Sequence, residues 1–192
     1  MNIRLAHPRV PFLIAGAFLL LAPVAIATET GLNSADTEFI QEEAASAVAM
    51  VRIASLGVKK SGRADIRTHA GAIIADRTQG IAEIAKLAGR KGVGLTAEID
   101  ANHANNYQTL RGMSGPRFDK NFLSAIVNGH TECIRNFEEA AERAVDEEVR
   151  SWAAKTLPSL RAHLERAEAL SSKNEVKTSA PSSEKSTARP AN

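Results

Sequence analysis

The chain has one cysteine, one tryptophan, one tyrosine and six phenylalanines among 192 residues. A lone Cys133 cannot close an internal disulfide, so no disulfide framework holds the fold. With aromatics at 4%, the core has to be filled by aliphatic side chains and alanine. No serine sits in a Gly-x-Ser-x-Gly elbow. Gly92-Val93-Gly94 lacks the strand and the lysine that a phosphate loop needs. Hydrolase and phosphate-loop chemistry therefore have no support, and an enzyme is not the favoured reading. Charge of one sign is also missing: 24 basic residues face 22 acidic ones. A nucleic-acid binder would show a basic face, and none appears.

The one long apolar run lies at the N-terminus. Arg4 and Arg9 precede an apolar stretch from Pro11 to Ile26, and Ala25-Ile26-Ala27 fits the small-x-small rule. Residues 1–27 read as a secretory signal peptide cleaved before Thr28, which places the protein in the periplasm or peripheral to the outer membrane. The run falls short of the roughly 20 residues of a spanning helix, and Pro23 near its end suits cleavage. No cysteine follows it for lipid attachment. Loss of Arg4 and Arg9 leaves the mature chain with equal basic and acidic counts. No membrane span is expected after cleavage. From Ser171 the chain reads SSKNEVKTSAPSSEKSTARPAN. That composition buries too little surface to offset ordering entropy, so residues 171–192 read as a disordered tail.

Residues 28–170 are enough for one domain with a real core. Apolar residues recur at helical spacing, and no strand-like alternation is present. The first helix is expected near Ser34 or Asp36, both good caps, with the stripe Ile40, Ala44, Ala47, Val51, Ala54 and Val58. The second carries Ile66, Ala70, Ile73, Arg77, Ile81, Ile84 and Ala88, and Gly89, Gly92 and Gly94 end it. A short helix is expected from Asp100 to Gly112, with Tyr107 and Leu110 inward. The next runs from Arg117 to Ala144 on a face of Phe118, Phe122, Ile126, His130, Cys133, Phe137 and Ala141. Asp146 caps the last helix, which Pro158 should kink or restart. Its face holds Val149, Trp152, Ala153, Leu157, Leu160, His163, Leu164, Ala167 and Leu170. The fold class is all-α: an antiparallel four-helix bundle with one extra short helix between the second and third long helices. The long connection from Gly89 to Pro116 carries the short helix as a lid or crosses the bundle.

Three of these stripes contain an ionisable residue: Arg77, His130 and His163. Buried charge costs several kcal/mol (roughly) unless paired, so these residues mark a polar network or a site. Cys133, near Phe137, is expected to be buried. His69 is expected on a flank of the second helix, at the boundary of its buried face, and His103 in solvent. Met50 is expected as core filler, Asp119 in a capping or dipole role, and Glu42-Glu43 and Glu138-Glu139 on wet faces.

The chain resembles the exported bacterial domain-of-unknown-function family 4142, often labelled "predicted outer membrane protein". The resemblance spans Asp36 to Leu170. It rests on Asp36-x-x-Phe39, Ala75-Asp76, Leu87-Ala88 with Gly92-Val93 and Leu95, and Ser114-Gly115-x-x-Phe118-Asp119. His130 and Leu157-Pro158-x-Leu160-x-x-His163-Leu164 complete it. The resemblance implies a ferritin-like bundle, and a glutamate, an Asp-His pair and two histidines facing inward like a carboxylate-imidazole metal site. This chain has Met50 where that glutamate is usual and Arg77 where the paired histidine is usual. Arginine is permanently charged and is no ordinary ligand.

Three functions follow. The leading one is a non-catalytic periplasmic helical module that binds an envelope partner, forms a homo-oligomer or serves stress tolerance, with Arg77, Asp76, His130 and His163 as a structural network. The second is a metal protein taking zinc, copper or iron on His130, His163 and Asp76, with Cys133 one turn away. The third is a small-ligand carrier with its pocket between the bundle and the short helix.

Overall fold

The computed structural model describes residues 31–96, 99 and 101–179, with side chains through Lys173. The signal peptide expected over residues 1–27 lies outside the described residues. Five helices occupy the described chain: α1 (Ser34–Lys60), α2 (Ala64–Lys91), α3 (Ala101–Arg111), α4 (Gly115–Arg143) and α5 (Glu147–Ser179). The fold is a ferritin-like all-α bundle of four long helices with one short helix in the connection. No helix among the described residues is long and apolar enough to cross a membrane.

Partner contacts fix the topology. Along α1, Glu43 meets Asn136, Gly57 meets Phe122, and Asp36 meets the turn after α4. Along α2, Arg90 meets Glu148 and Asp76 meets Ser159, while Arg63 before the helix reaches the Leu170 carbonyl. Both pairs are antiparallel, so α2 and α4 run the same way. The chain between them must therefore return the length of the bundle. Gln41 holds the Gly94 carbonyl at 2.9 Å near one end, and Lys60 holds the Arg111 carbonyl at the other. At 1.5 Å per residue that span is about 28 Å. The connection is thus a crossover along α1 with α3 inside it.

Local signals explain the helix ends, with corrections. Asn33 caps α1 by accepting from the Asp36 N–H at 2.7 Å, so neither Ser34 nor Asp36 is the cap. The Asp36 carboxylate accepts instead from the N–H groups of Val145 and Asp146, at 3.1 and 2.9 Å. It is buried and ties the start of α1 to the α4–α5 turn. Asp146 caps α5 through Glu148 and Val149, as expected, and also holds Lys91 at 2.6 Å. Gly89 does not end α2; the helix runs on to Lys91 and stops at Gly92, whose φ of 69° only glycine adopts freely. Val58, expected on the inner stripe, is exposed where α1 ends.

Pro158 neither ends nor restarts α5. Pro158 and Ala154 are both exposed, so the carbonyl that loses its partner meets water. Leu157 and Leu160 on the other face stay buried and hold the helix in place. The first nine residues of the tail expected from Ser171 are helical, because α5 continues to Ser179. No glycine or proline interrupts that stretch before Pro181, so nothing local stops propagation. Residues 180–192 lie outside the described residues.

Packing is tightest where α1 crosses α4. A Cβ at Gly57 would lie 2.3 Å from Phe122 Cζ in the fully buried Phe118–Phe122 stack. Gly57→Ala is expected to lower stability by about 1–3 kcal/mol, since an overfilled core costs more than the helix gains. The urea midpoint measures it, with Gly129→Ala as control. There the added carbon meets only the mobile end of Met50, at 2.7 Å from Cε, and the loss should be smaller. Met50 itself is core, 3% exposed.

Candidate functional site

All four long helices send polar side chains into one interior. Arg77, expected there from the α2 stripe, is 6% exposed. Its Nη1 and Nη2 each lie 3.7 Å from Cys133 Sγ. The Cys133 thiol donates to Glu43 Oε2 at 3.2 Å, and Asn136 Nδ2 donates to Glu43 Oε1 at 3.1 Å. Carboxylate, thiol and guanidinium thus form a chain from α1 through α4 to α2. Arg77 was expected to pair with Asp76 or another carboxylate; its contact is instead with the Cys133 sulfur, and Glu43 lies on the far side of that sulfur. Asp76 is engaged elsewhere.

Glu43 was expected on a wet face and is 4% exposed. Burial raises its carboxyl above the usual range, against the pull of Asn136, Cys133 and the Arg77 charge. Burial likewise pushes the Cys133 thiol well up, reinforced by the Glu43 charge and opposed by Arg77. A thiol so placed stays protonated and is a poor nucleophile or ligand.

One turn before Cys133, His130 is fully buried. Its Nδ1 lies 2.9 Å from the Ile126 carbonyl, which can only accept, so Nδ1 carries the proton. Its Nε2 then holds a lone pair, and that atom is buried with no hydrogen-bond partner. The His130 ring lies 5.7 Å from that of His163, and the His163 ring 5.6 Å from that of His69. His163 Nε2 lies 3.4 Å from Asp76 Oδ2, which also accepts from Ser159 at 2.8 Å. Burial and then the Arg77 charge push His130 down to about 3. Burial and then the neighbouring His163 push His69 down to about 4. His163 is lowered by burial against the opposing Asp76 charge. The three rings form a neutral row.

His130 and His163 are thus in ring contact, His163 reaches Asp76, and the Arg77 charge acts on both imidazoles. The position where the resemblance implies a first-helix carboxylate holds Met50; the interior carboxylate is Glu43, about two turns earlier on the same face. Its signal was the spacing Ile40-x-x-Glu43-x-x-x-Ala47. His69, expected at a boundary, is 4% exposed, and its signal was Ile66-x-x-His69-x-x-x-Ile73. Asp119 is no cap either: it is buried inside α4, where its charge acts on Arg63. His103 is half-buried.

Metal chemistry fits this arrangement poorly. Among the described residues no group of three or more His, Cys, Asp or Glu is placed to hold a metal ion. Arg77 places a fixed positive charge that already depresses both His130 and His163.

The fold is similar to the crystal structure of a DUF305 fragment from Deinococcus radiodurans, with a TM-score of 0.67 at 15% identity. That likeness covers 74% of this chain and 98% of the fragment, and at such identity it concerns the fold alone. No curated protein matches the sequence. The profile of the domain of unknown function DUF4142 matches residues 21–170. With that much of the sequence covered, the chain belongs to the DUF4142 family.

Proposed function

We propose that the protein is an exported, non-catalytic helical module of the bacterial envelope. One observation carries the reading: the thiol, the guanidinium and the His163 imidazole of the interior are engaged with neighbouring side chains. Cys133 is a protonated donor to Glu43, Arg77 straddles its sulfur, and His163 lies against Asp76. Catalytic groups are instead activated and reach a substrate. Export is supported by the basic, apolar and small-x-small pattern of residues 1–27. Two measurements test these points. In a Gram-negative host the full chain should fractionate with the periplasm and begin at Thr28; an intact leader in the cytoplasm overturns export. A disulfide reagent should label Cys133 only as the protein unfolds; rapid labelling of the native protein would show an activated thiol and overturn the inert interior.

A second reading takes zinc, copper or iron on His130, His163 and Asp76. The unpartnered Nε2 of His130 favours it. It requires His163 to turn from Asp76 and requires the metal to tolerate Arg77. Elemental analysis of tag-free protein should find no stoichiometric metal. Metal that vanishes in both His130→Ala and His163→Ala would reverse the order of the two readings.

A further inference from the structure

We propose that one end of the bundle, made by the close of α1 and α3 and the start of α4, docks onto an anionic phospholipid surface. The inference rests on the envelope reading, since it names the envelope component that the module meets.

Lys60 ties the three elements together at this end. Its Nζ donates to the Arg111 carbonyl and lies 5.7 Å from the centre of the Phe118 ring. Lys59, Arg111, Arg117 and Lys120 are all exposed around it. Among the described residues none of these four is ion-paired. At the opposite end Arg90, Lys91 and Arg143 each meet a carboxylate. Residues 58–67 and 111–120 contain two acids, Asp65 and Asp119. Asp65 holds Arg63 at 2.7 Å, and Asp119 is buried with its charge acting on Arg63. Positive and negative charges thus nearly balance in number but not in space. The cations come from separate stretches of sequence, so no single run shows them.

Local helix chemistry explains only part of the cluster. Lys59 and Arg111 lie in the last turns of α1 and α3, where the helix dipole favours cations. Arg117 lies in the first turn of α4, where the dipole favours acids, and that turn has none. Ser114 before it makes no side-chain cap bond. Arg117 therefore works against the dipole and adds to the repulsion among its neighbours. A surface of opposite charge relieves both costs.

Apolar groups among the cations select a lipid surface over other polyanions. Val58 is 39% exposed beside Lys59, and Pro116 is exposed beside Arg117. Met113 is half-buried in the turn between α3 and α4. A bilayer takes the cations at its headgroups and such apolar tips just beneath them. A phosphate backbone offers the tips nothing. The last helix, α5, packs on α2 and α4 and runs past this end to Ser179. Contact is therefore made at a tilt, from the α1 and α3 side.

Sedimentation with vesicles of mixed phosphatidylglycerol and phosphatidylcholine tests the docking. The chain from Thr28 on is used: it keeps every described residue and lacks the apolar leader, which would enter vesicles by itself. It should sediment with these vesicles at low salt, come off as salt rises to about 1 M, and ignore vesicles of phosphatidylcholine alone. Each cation near an anionic leaflet changes partitioning about fivefold, so Arg117→Glu with Lys120→Glu should weaken binding at least about twentyfold. That variant should melt no lower than the parent, because glutamates at the start of α4 suit the dipole. Arg135→Glu with Arg143→Glu makes the same change in net charge further along α4 and should weaken binding far less. No sedimentation with the anionic vesicles, or equal losses in the two double variants, overturns the docking surface. Tighter binding to a DNA duplex at the same salt overturns the lipid assignment. None of these results bears on export, which the fractionation above decides separately.

Discussion

Arg77→Leu is expected to lower the free energy of unfolding by up to about 3–5 kcal/mol, the loss typical when a buried carboxylate is left without the cation that offsets its charge. Glu43 stays 4% exposed in that variant with no cation near it. Its bonds from Asn136 and Cys133 remain, but they do not neutralise it. Glu43 has one escape, which is to take a proton, and burial already pushes its carboxyl that way. The defect should therefore shrink as the pH is lowered. Arg77→Lys should recover only part of the loss, because an ammonium cannot reach the sulfur with two nitrogens as the guanidinium does. Denaturant titrations of the three proteins measure this. An Arg77→Leu protein as stable as the parent would mean that Arg77 neutralises nothing.

Acid should unfold the protein well above the pH at which surface carboxylates titrate. His130 and His69 have their folded values pushed down to about 3 and about 4. The unfolded chain therefore binds protons first. Their stabilising effect is complete above the unfolded histidine value near 6.5 and is lost as pH falls toward those folded values. Each depressed histidine removes about 1.4 kcal/mol per pH unit within its window. His163, also lowered, adds to the slope. Glu43 works the other way. Its raised carboxyl favours the folded state as pH falls and offsets part of the loss. The other charges facing the row, Asp76, Arg77 and Arg166, are included in these shifts. Urea midpoints between pH 7.5 and 4.5 should fall steeply, and His130→Leu should flatten the curve. A midpoint constant down to pH 4.5 would show the imidazoles to be wet.

The stripes were legible because burial in a bundle follows helical periodicity. Ile73, Arg77 and Ile84 on α2, and Phe122, His130 and Phe137 on α4, all lie where the spacing puts them. Glu43 was missed because a glutamate beside another glutamate reads as solvent-facing. Only its partners in space, Asn136 and Cys133 on α4 with Arg77 beyond the sulfur, show why it is inside. His69 reads as a flank residue beside the stripe Ile66, Ala70 and Ile73, yet at three residues after Ile66 and four before Ile73 it shares their buried face. Asp36 shows the same limit. As a short acidic residue near a helix start it signals a cap, yet the donors it satisfies belong to Val145 and Asp146. Pro158 reads as a break, and only the exposure of Ala154 on the same face makes it harmless. Local chemistry identifies faces; long-range partners decide which polar residues stay on them.

A double-mutant cycle on Arg77→Met and Glu43→Met tests most directly whether these two residues form one buried network across three helices. Both replacements fill similar volume without charge. Each single change should cost roughly 3 kcal/mol, and the pair together less than either alone, since no orphaned charge remains. Strict additivity of the two losses would contradict the shared interior.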